Sequence, residues 1–373
     1  MANSAAGTYR ALGLMSGSSL DGLDVALCRF ELNDANHVAR WSIDAAQTID
    51  YPAALTEALR GSPVLGVRDL LELDAEVGRL VGRAVASFLQ VHGEKARPSL
   101  VGYHGHTVFH EPARGFSYQL GDGAALATAS GLPVVTQLRG ADIAAGGQGA
   151  PLAPLADLHL FPDHRAFLNL GGIANLSLRH PDGTVIAGDI SGCCQIMDRL
   201  TQERFQQPFD EGGALAAAGA YTPALAAKLD ALVYHGRAYP KSLANDWVRD
   251  ELWPALVEND LCSMRDRMHT FGVWLGQKVN RDLTALLDGG ADAGAGGELE
   301  VLVTGGGARN TFLLEQLNAG PHSFEQAEEQ VVDFKEAALI ALCALFRSLG
   351  LPNALAGATG AERETVNGAL YYP

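Results

Sequence analysis

Twice in this chain an apolar run breaks at a tip of small residues and returns as a second apolar run, and that repetition limits the folds open to it. The first instance runs Leu12-Gly13-Leu14-Met15-Ser16, then a tip from Gly17 to Asp24, then the alternating return Val25-Ala26-Leu27-Cys28-Arg29-Phe30. This is a strand, tight turn, strand pattern, and the loosely alternating 38–49 segment extends it to a three-stranded antiparallel meander. The second instance is strand 166–170, the tip Gly171-Gly172, return strand 173–178, a Pro181-Asp182-Gly183 turn and a third strand closing at Asp189. Units of this kind near the start of each half predict duplicated α/β domains. The expected division is an N-terminal domain over 1–160 with 355–373, and a C-terminal domain over 161–354.

The tips suggest where a ligand sits. Glycine and short hydroxyl residues leave backbone N–H groups uncovered, which suits an anion. Asp21 and Asp24 are placed to hold a divalent cation accompanying a phosphate. At this level an ordinary hairpin with polar turn residues fits the first tip equally well.

The elements between the meanders follow from periodicity. Apolar residues at helical spacing over 67–91 predict a long amphipathic helix, and Leu100-Val101-Gly102-Tyr103 a buried strand delivering His104, His106 and His110. A strand at 133–136 precedes Arg139 and a small-residue segment, 142–152, that contains Gln148. Later come a helix over 263–287, a loop over 289–297, and a strand over 299–304 running into Gly305-Gly306-Gly307 and a helix at 311–317. Strand, triple glycine and helix N-terminus make a place where a ligand approaches backbone closely. A last helix spans 334–349, with Glu336 expected in its first turn.

Composition excludes several classes. A net charge of −16 argues against a nucleic-acid partner. No run of 18 apolar residues occurs and the first six residues lack a basic, apolar leader, so no membrane span or signal peptide is expected and the cytoplasm is the default. None of the five lysines sits in a Gly-x-x-x-x-Gly-Lys-[Ser/Thr] pattern, which removes the P-loop. The five scattered cysteines do not read as a disulfide framework, and Cys193-Cys194 read as small apolar fillers rather than a reactive pair. His104, His106 and His110 have a spacing that invites zinc, but no second dense ligand cluster accompanies them; His104 reads instead as polar pocket lining. No Gly-x-Ser-x-Gly elbow is present for a serine hydrolase. Two glycine tips, an aspartate closing the second meander, a triple-glycine turn and a late glutamate remain. Phosphoryl transfer without a P-loop needs these parts.

Taken together, the stretches 13–24, 102–108, 144–152, 169–176, Pro240-Lys241-Ser242, 305–310 and 368–373 resemble the anhydro-N-acetylmuramic acid kinase family, in family order. The resemblance implies the two-domain fold of actin-like ATPases and sugar kinases, ribonuclease H-like, with ATP in an interdomain cleft. It implies hydrolysis of the 1,6-anhydro ring of anhydro-N-acetylmuramic acid coupled to phosphorylation of O6, giving N-acetylmuramic acid 6-phosphate and ADP. By position Asp189 falls on the catalytic aspartate, and Gly17, Ser18, Ser19, Leu20, Asp21, Gly22, Leu23 and Asp24 on the ATP phosphate loop. Gly171, Gly172 and Gly305 to Gly307 join the nucleotide side, while His104, Arg139, Gln148 and Glu336 join the sugar side. Mg2+ near Asp21 and Asp24 and a homodimer are also implied. The chain departs from the family pattern around the sugar, with His106 for glutamine, Gln137 for aspartate and Ile190-Ser191-Gly192-Cys193-Cys194 for Thr-Gly-Pro-Gly-Asn. The alternatives are a kinase of the same fold for another anhydro- or amino-sugar, or a catalytically silent nucleotide-binding protein.

Overall fold

The computed structural model describes the chain apart from residues 1–4, 17–19, 21, 93–96, 244, 259–261 and 289–296. Most of the loop expected over 289–297, and the tip residues Gly17, Ser18, Ser19 and Asp21, therefore lie outside the described residues. Two compact units result, Met1–Phe161 with Phe334–Pro373, and Pro162–Asp333.

In the first unit the alternation produces the expected meander. β1 (Gly7–Ser16), β2 (Gly22–Leu32) and β3 (Val38–Asp50) pair antiparallel. β4 (Leu100–Tyr103) joins β1 in parallel, β5 (His106–Glu111) and β6 (Phe116–Leu120) form a separate ribbon, and β7 (Val134–Thr136) joins β4 in parallel. The strand Ala369–Tyr371 closes the edge against β7. The second unit repeats the plan. β8 (Ala166–Leu170), β9 (Ile173–Arg179) and β10 (Val185–Gly192) form the meander, and β11 (Glu300–Thr304) and β12 (Ser323–Gln326) continue in parallel beyond β8. Both sheets thus run third, second, first strand and then two parallel strands. That order is the ribonuclease H-like one, present twice. Among the described residues no helix is long and apolar enough to cross a membrane.

Side chains on β1 alternate between two apolar layers, as the pleat requires. Leu12 and Leu14 face Val77, Val81, Val85 and Phe88 of the helix Val67–His92. Each such fully buried side chain contributes about 1.5–3 kcal/mol. On the other face Ala11 lies with Ala337, Ile340, Ala341 and Phe346 of the helix Glu329–Leu349.

That last helix packs unusually close. Gly13 and Gly102 stand side by side on β1 and β4. A Cβ added at Gly13 would fall 1.7 Å from the Ala337 carbonyl oxygen, and one at Gly102 2.4 Å from that of Ile340. The helix backbone rests directly on sheet backbone, which is why Phe334 onward belongs with the first unit although sequence placed 161–354 together. The helix also begins earlier than expected. The Glu328 carbonyl accepts from Val331 and Val332 at 2.8 and 2.9 Å, and Glu329 adds a favourable acidic residue to the first turn. Glu336 consequently lies two turns in, not in the first turn. A buried Lys335–Asp157 ion pair at 2.6 Å ties this helix to the helix Ala153–Leu160.

Candidate active site

The first unit gathers His104 and the Gly149 carbonyl around Arg139. β4 ends at Tyr103, and the His104 N–H donates to the Leu14 carbonyl, so the imidazole leaves the sheet at a fixed point. His104 Nδ1 lies 2.9 Å from the Gly105 carbonyl, which only a protonated Nδ1 can satisfy. Nε2 is then free to accept from Arg139 Nη2 at 2.7 Å, while Arg139 Nη1 donates to the Gly149 carbonyl at 2.8 Å. Burial, with the Arg139 charge added, pushes His104 down to about 3. His104 is therefore a neutral acceptor that aims a guanidinium, and not a proton carrier. His106 and His110 stand on β5 as separate side chains, His110 Nδ1 3.1 Å from Ser117 Oγ. Among the described residues no three His, Cys, Asp or Glu side chains are arranged as a metal site.

Glu336 shares this neighbourhood. Desolvation raises its carboxyl, the charge of Asp24 raises it further, and Lys335 and Arg139 oppose the rise. Asp24, Lys335, Glu336 and Arg139, all in the first unit, thus bear on one another electrostatically. Asp24 Oδ1 accepts from Thr48 Oγ at 2.6 Å. Leu23 is core, and Gly22 sits where a Cβ would meet the Ile49 carbonyl at 2.7 Å. Leu20 buries its side chain yet holds φ at 60°, a left-handed conformation that costs an L-residue roughly 1–2 kcal/mol. Strain of that type concentrates at binding turns.

A residue that sequence reasoning passed over organises the loop holding Gln148. Asp142 is 1 % exposed; its Oδ2 accepts from the Gly149 N–H and its Oδ1 from Thr359 Oγ, both at 2.7 Å. Its own N–H donates to Asn367 Oδ1 at 2.8 Å. Gly149 is thereby fixed, and the Gly149 carbonyl in turn fixes Arg139. The Gln148 N–H donates to the Thr359 carbonyl at 2.9 Å, leaving its exposed side chain available. Only the setting of one acid within an Ala/Gly run hinted at this role. We expect Asp142→Ala to lower stability by about 1–3 kcal/mol, the cost of leaving buried hydrogen-bonding groups unmet. Urea unfolding checks this.

In the second unit Asp189 occupies a bulge. β10 does not close at Asp189, as the sequence suggested, but runs on to Gly192 with a register shift between Asp189 and Ser191. The residue is held at three points. Its N–H donates to the Lys241 carbonyl at 2.9 Å, its carbonyl accepts from the Tyr234 hydroxyl at 2.8 Å, and its Oδ2 accepts from the Leu243 N–H at 2.9 Å. Desolvation raises the carboxyl above the ordinary aspartate value, opposed by the Leu243 N–H and by Lys241. A half-buried carboxylate with raised basicity and one oxygen oriented is equipped to take a proton.

The glycines of this unit divide by purpose. Gly305 has φ of 82° and a Cβ added there would fall 2.8 Å from the Leu170 backbone, and one at Gly307 would fall within 3 Å of Leu170 and Cys194, so packing alone demands both. Gly306 has nothing within 4 Å, and at Gly171 and Gly172 an added Cβ would make only ordinary contacts. Packing does not explain these three, and a ligand brought close to backbone would. The helix expected over 311–317 is present as Thr311–Asn318. A short 3-10 turn, Gly306–Arg309, precedes it, and Asn310 caps it through Oδ1 and the Leu313 N–H. Cys193 is fully buried and Cys194 Sγ donates to the Leu170 carbonyl at 3.3 Å; both fill space beside the β8–β9 tip.

Comparison with known proteins follows the same direction. The profile of the family described as anhydro-N-acetylmuramic acid kinase matches residues 9–373. A Vibrio cholerae protein named anhydro-N-acetylmuramic acid kinase is 32 % identical, covering 97 % of this chain and 98 % of its own. One of that name from Methylobacterium nodulans is 34 % identical over 98 % of this chain and 100 % of its own. Among solved structures, the activator of 2-hydroxyisocaproyl-CoA dehydratase from Clostridium difficile, with bound ADPNP, is 14 % identical with a TM-score of 0.41, covering 91 % of this chain and 97 % of its own.

Proposed function

Because this chain belongs to the anhydro-N-acetylmuramic acid kinase family, we propose that it cleaves the 1,6-anhydro ring of that sugar and phosphorylates O6 from ATP, with Asp189 as general base. The observation that supports the base assignment most strongly is the three-point hold on Asp189, which leaves Oδ1 for a water. As the water oxygen attacks the anomeric carbon, Asp189 takes its proton, as in inverting glycosidases. The C1–O6 bond breaks with its electron pair passing to O6, and O6 attacks the γ-phosphorus as ADP leaves. O6 therefore needs no separate acid.

Arg139, aimed by His104 and Gly149, is assigned to bind the sugar's polar groups, with Gln148 and Glu336 beside it. The β1–β2 tip from Gly17 to Asp24 is assigned to the β- and γ-phosphates, and Gly171, Gly172 and Gly306 to the nucleoside side. Mg2+ on nucleotide phosphates takes one or two carboxylates and several waters. Asp24, with Asp21, suits that role, and the ion would neutralise phosphate charge there. A cytoplasmic homodimer is proposed on family resemblance and is checked by cell fractionation and light scattering.

Reaction in ¹⁸O-water tests the coupled chemistry. Mass analysis is expected to place one label on the anomeric oxygen of a product that also carries phosphate. Label without phosphate, or phosphate without label, would sink the coupled reaction.

A further inference from the structure

We propose that Lys241 is a positioning residue that keeps Asp189 ionised, the two being the first members of an alternating chain of charges, Asp189, Lys241, Asp282 and Lys278. The inference rests on the reading of Asp189 as the base.

Counting charge against counter-charge leads to it. The Lys241 side chain is 3 % exposed, and its Nζ has no hydrogen-bond partner among the described residues. Its ammonium lies 3.5 Å from Asp282 Oδ2 and faces the rings of Tyr239 and Tyr234 at 4.6 and 5.3 Å. Asp282, though, is already engaged. It accepts from Lys278 Nζ, in the next turn of the helix Met264–Asp288, and from the Tyr239 hydroxyl at 2.9 Å. Two buried ammonium groups thus share one carboxylate. A buried charge is tolerated when compensated, and Asp189 supplies the missing negative charge, each lowering the cost of the other's ionisation.

The backbone builds the pair in. Residues 241–243 lie alongside β10, bridging Gly188 to Lys241, and a Cβ at Gly188 would meet the Lys241 carbonyl oxygen at 2.6 Å. The same three residues deliver the carbonyl that holds the Asp189 N–H, the N–H that holds its Oδ2, and the cation.

The other groups around Asp189 do not substitute for Lys241. Asn175 stands opposite on β9 and is uncharged. Tyr234 and Tyr239 are held protonated by burial. His235 is pushed down to about 4, mainly by burial, and its Nε2 contacts Ser191 Oγ at 3.1 Å. Arg237 lies over the Tyr234 ring. From the π-helical turn Val248–Leu252, Arg249 is exposed and paired with Asp246 and Asp250, and Glu251 is exposed.

The test is the acid limb of the kcat/KM–pH profile, read in two variants with opposite expected signs. Lys241→Met leaves Asp282 balanced by Lys278 and Asp189 without a cation, so the limb moves up by about one pH unit, at the low end of the shift an adjacent opposite charge produces. Asp282→Asn, nearly isosteric, leaves both ammonium groups to Asp189 alone, so the limb moves down. A purely structural role would lower activity without separating the limbs. Unmoved limbs, or limbs moving the same way, overturn the proposal, and Asp282→Asn decides it alone if Lys241→Met does not fold. Asp189→Asn run in parallel separates the two readings. Retained turnover there refutes the base assignment; lost turnover with unmoved limbs in the other variants refutes only the role of Lys241.

Discussion

Asp189→Asn lowers kcat by about 10²–10⁴, the usual share of general-base assistance, while ATP still binds. The substitution keeps the backbone bonds to Lys241 and Tyr234, and the amide oxygen still accepts from the Leu243 N–H, so the geometry persists. What disappears is the proton acceptor. Product formation at high enzyme concentration measures the loss, and calorimetry with ATP measures the retention. Near-normal turnover in this variant would remove Asp189 from the chemistry. The pH profile carries a matching sign. A base works when deprotonated, so wild-type kcat/KM climbs with pH through the Asp189 pKa, which desolvation holds above the ordinary 3.8. His104, at about 3, adds no second limb near neutrality.

Among the described glycines, Gly13→Ala produces the largest expected loss of stability from a single methyl group. The new carbon would fall 1.7 Å from the Ala337 carbonyl oxygen, a backbone atom that no rotamer change removes. Overpacking costs about 1–3 kcal/mol where side chains give way, so about 3 kcal/mol or more is expected here. Because Glu336 is the residue before Ala337 on the same helix, the sugar KM should rise along with the fall in stability. Urea unfolding followed by fluorescence reads the first effect and steady-state kinetics the second. An unchanged midpoint would show that the helix does not bear on the sheet as described.

What the chain revealed beforehand was what local pattern encodes. The two meanders could be read because alternation and small-residue tips are short-range signals, and Asp189 drew attention as a lone acid near the end of the second meander's third strand. Other features depend on contacts that no window of sequence contains. The helix carrying Glu336 starts at Glu329 because the Glu328 carbonyl takes up the first N–H groups, those of Val331 and Val332, and the acid at 329 suits a helix N-terminus, signals that hydrophobic periodicity does not carry. Asp142 looks like a turn residue until Thr359 and Asn367 arrive from far along the chain. Lys241 was visible as a motif letter. Its aromatic surroundings and its distance from Asp282 emerge only when the 264–288 helix packs beneath β10.

Asp142 also sets a timetable. Its partners Thr359 and Asn367 lie 217 and 225 residues further on. During synthesis the ribosome must release the chain through Asn367 before the loop that steadies Arg139 can be pinned. Until that stretch docks, the meander strands can pair while Asp142 still lacks two of its partners. A chain without Thr359 and Asn367 would lack the clasp that orients the Arg139 guanidinium.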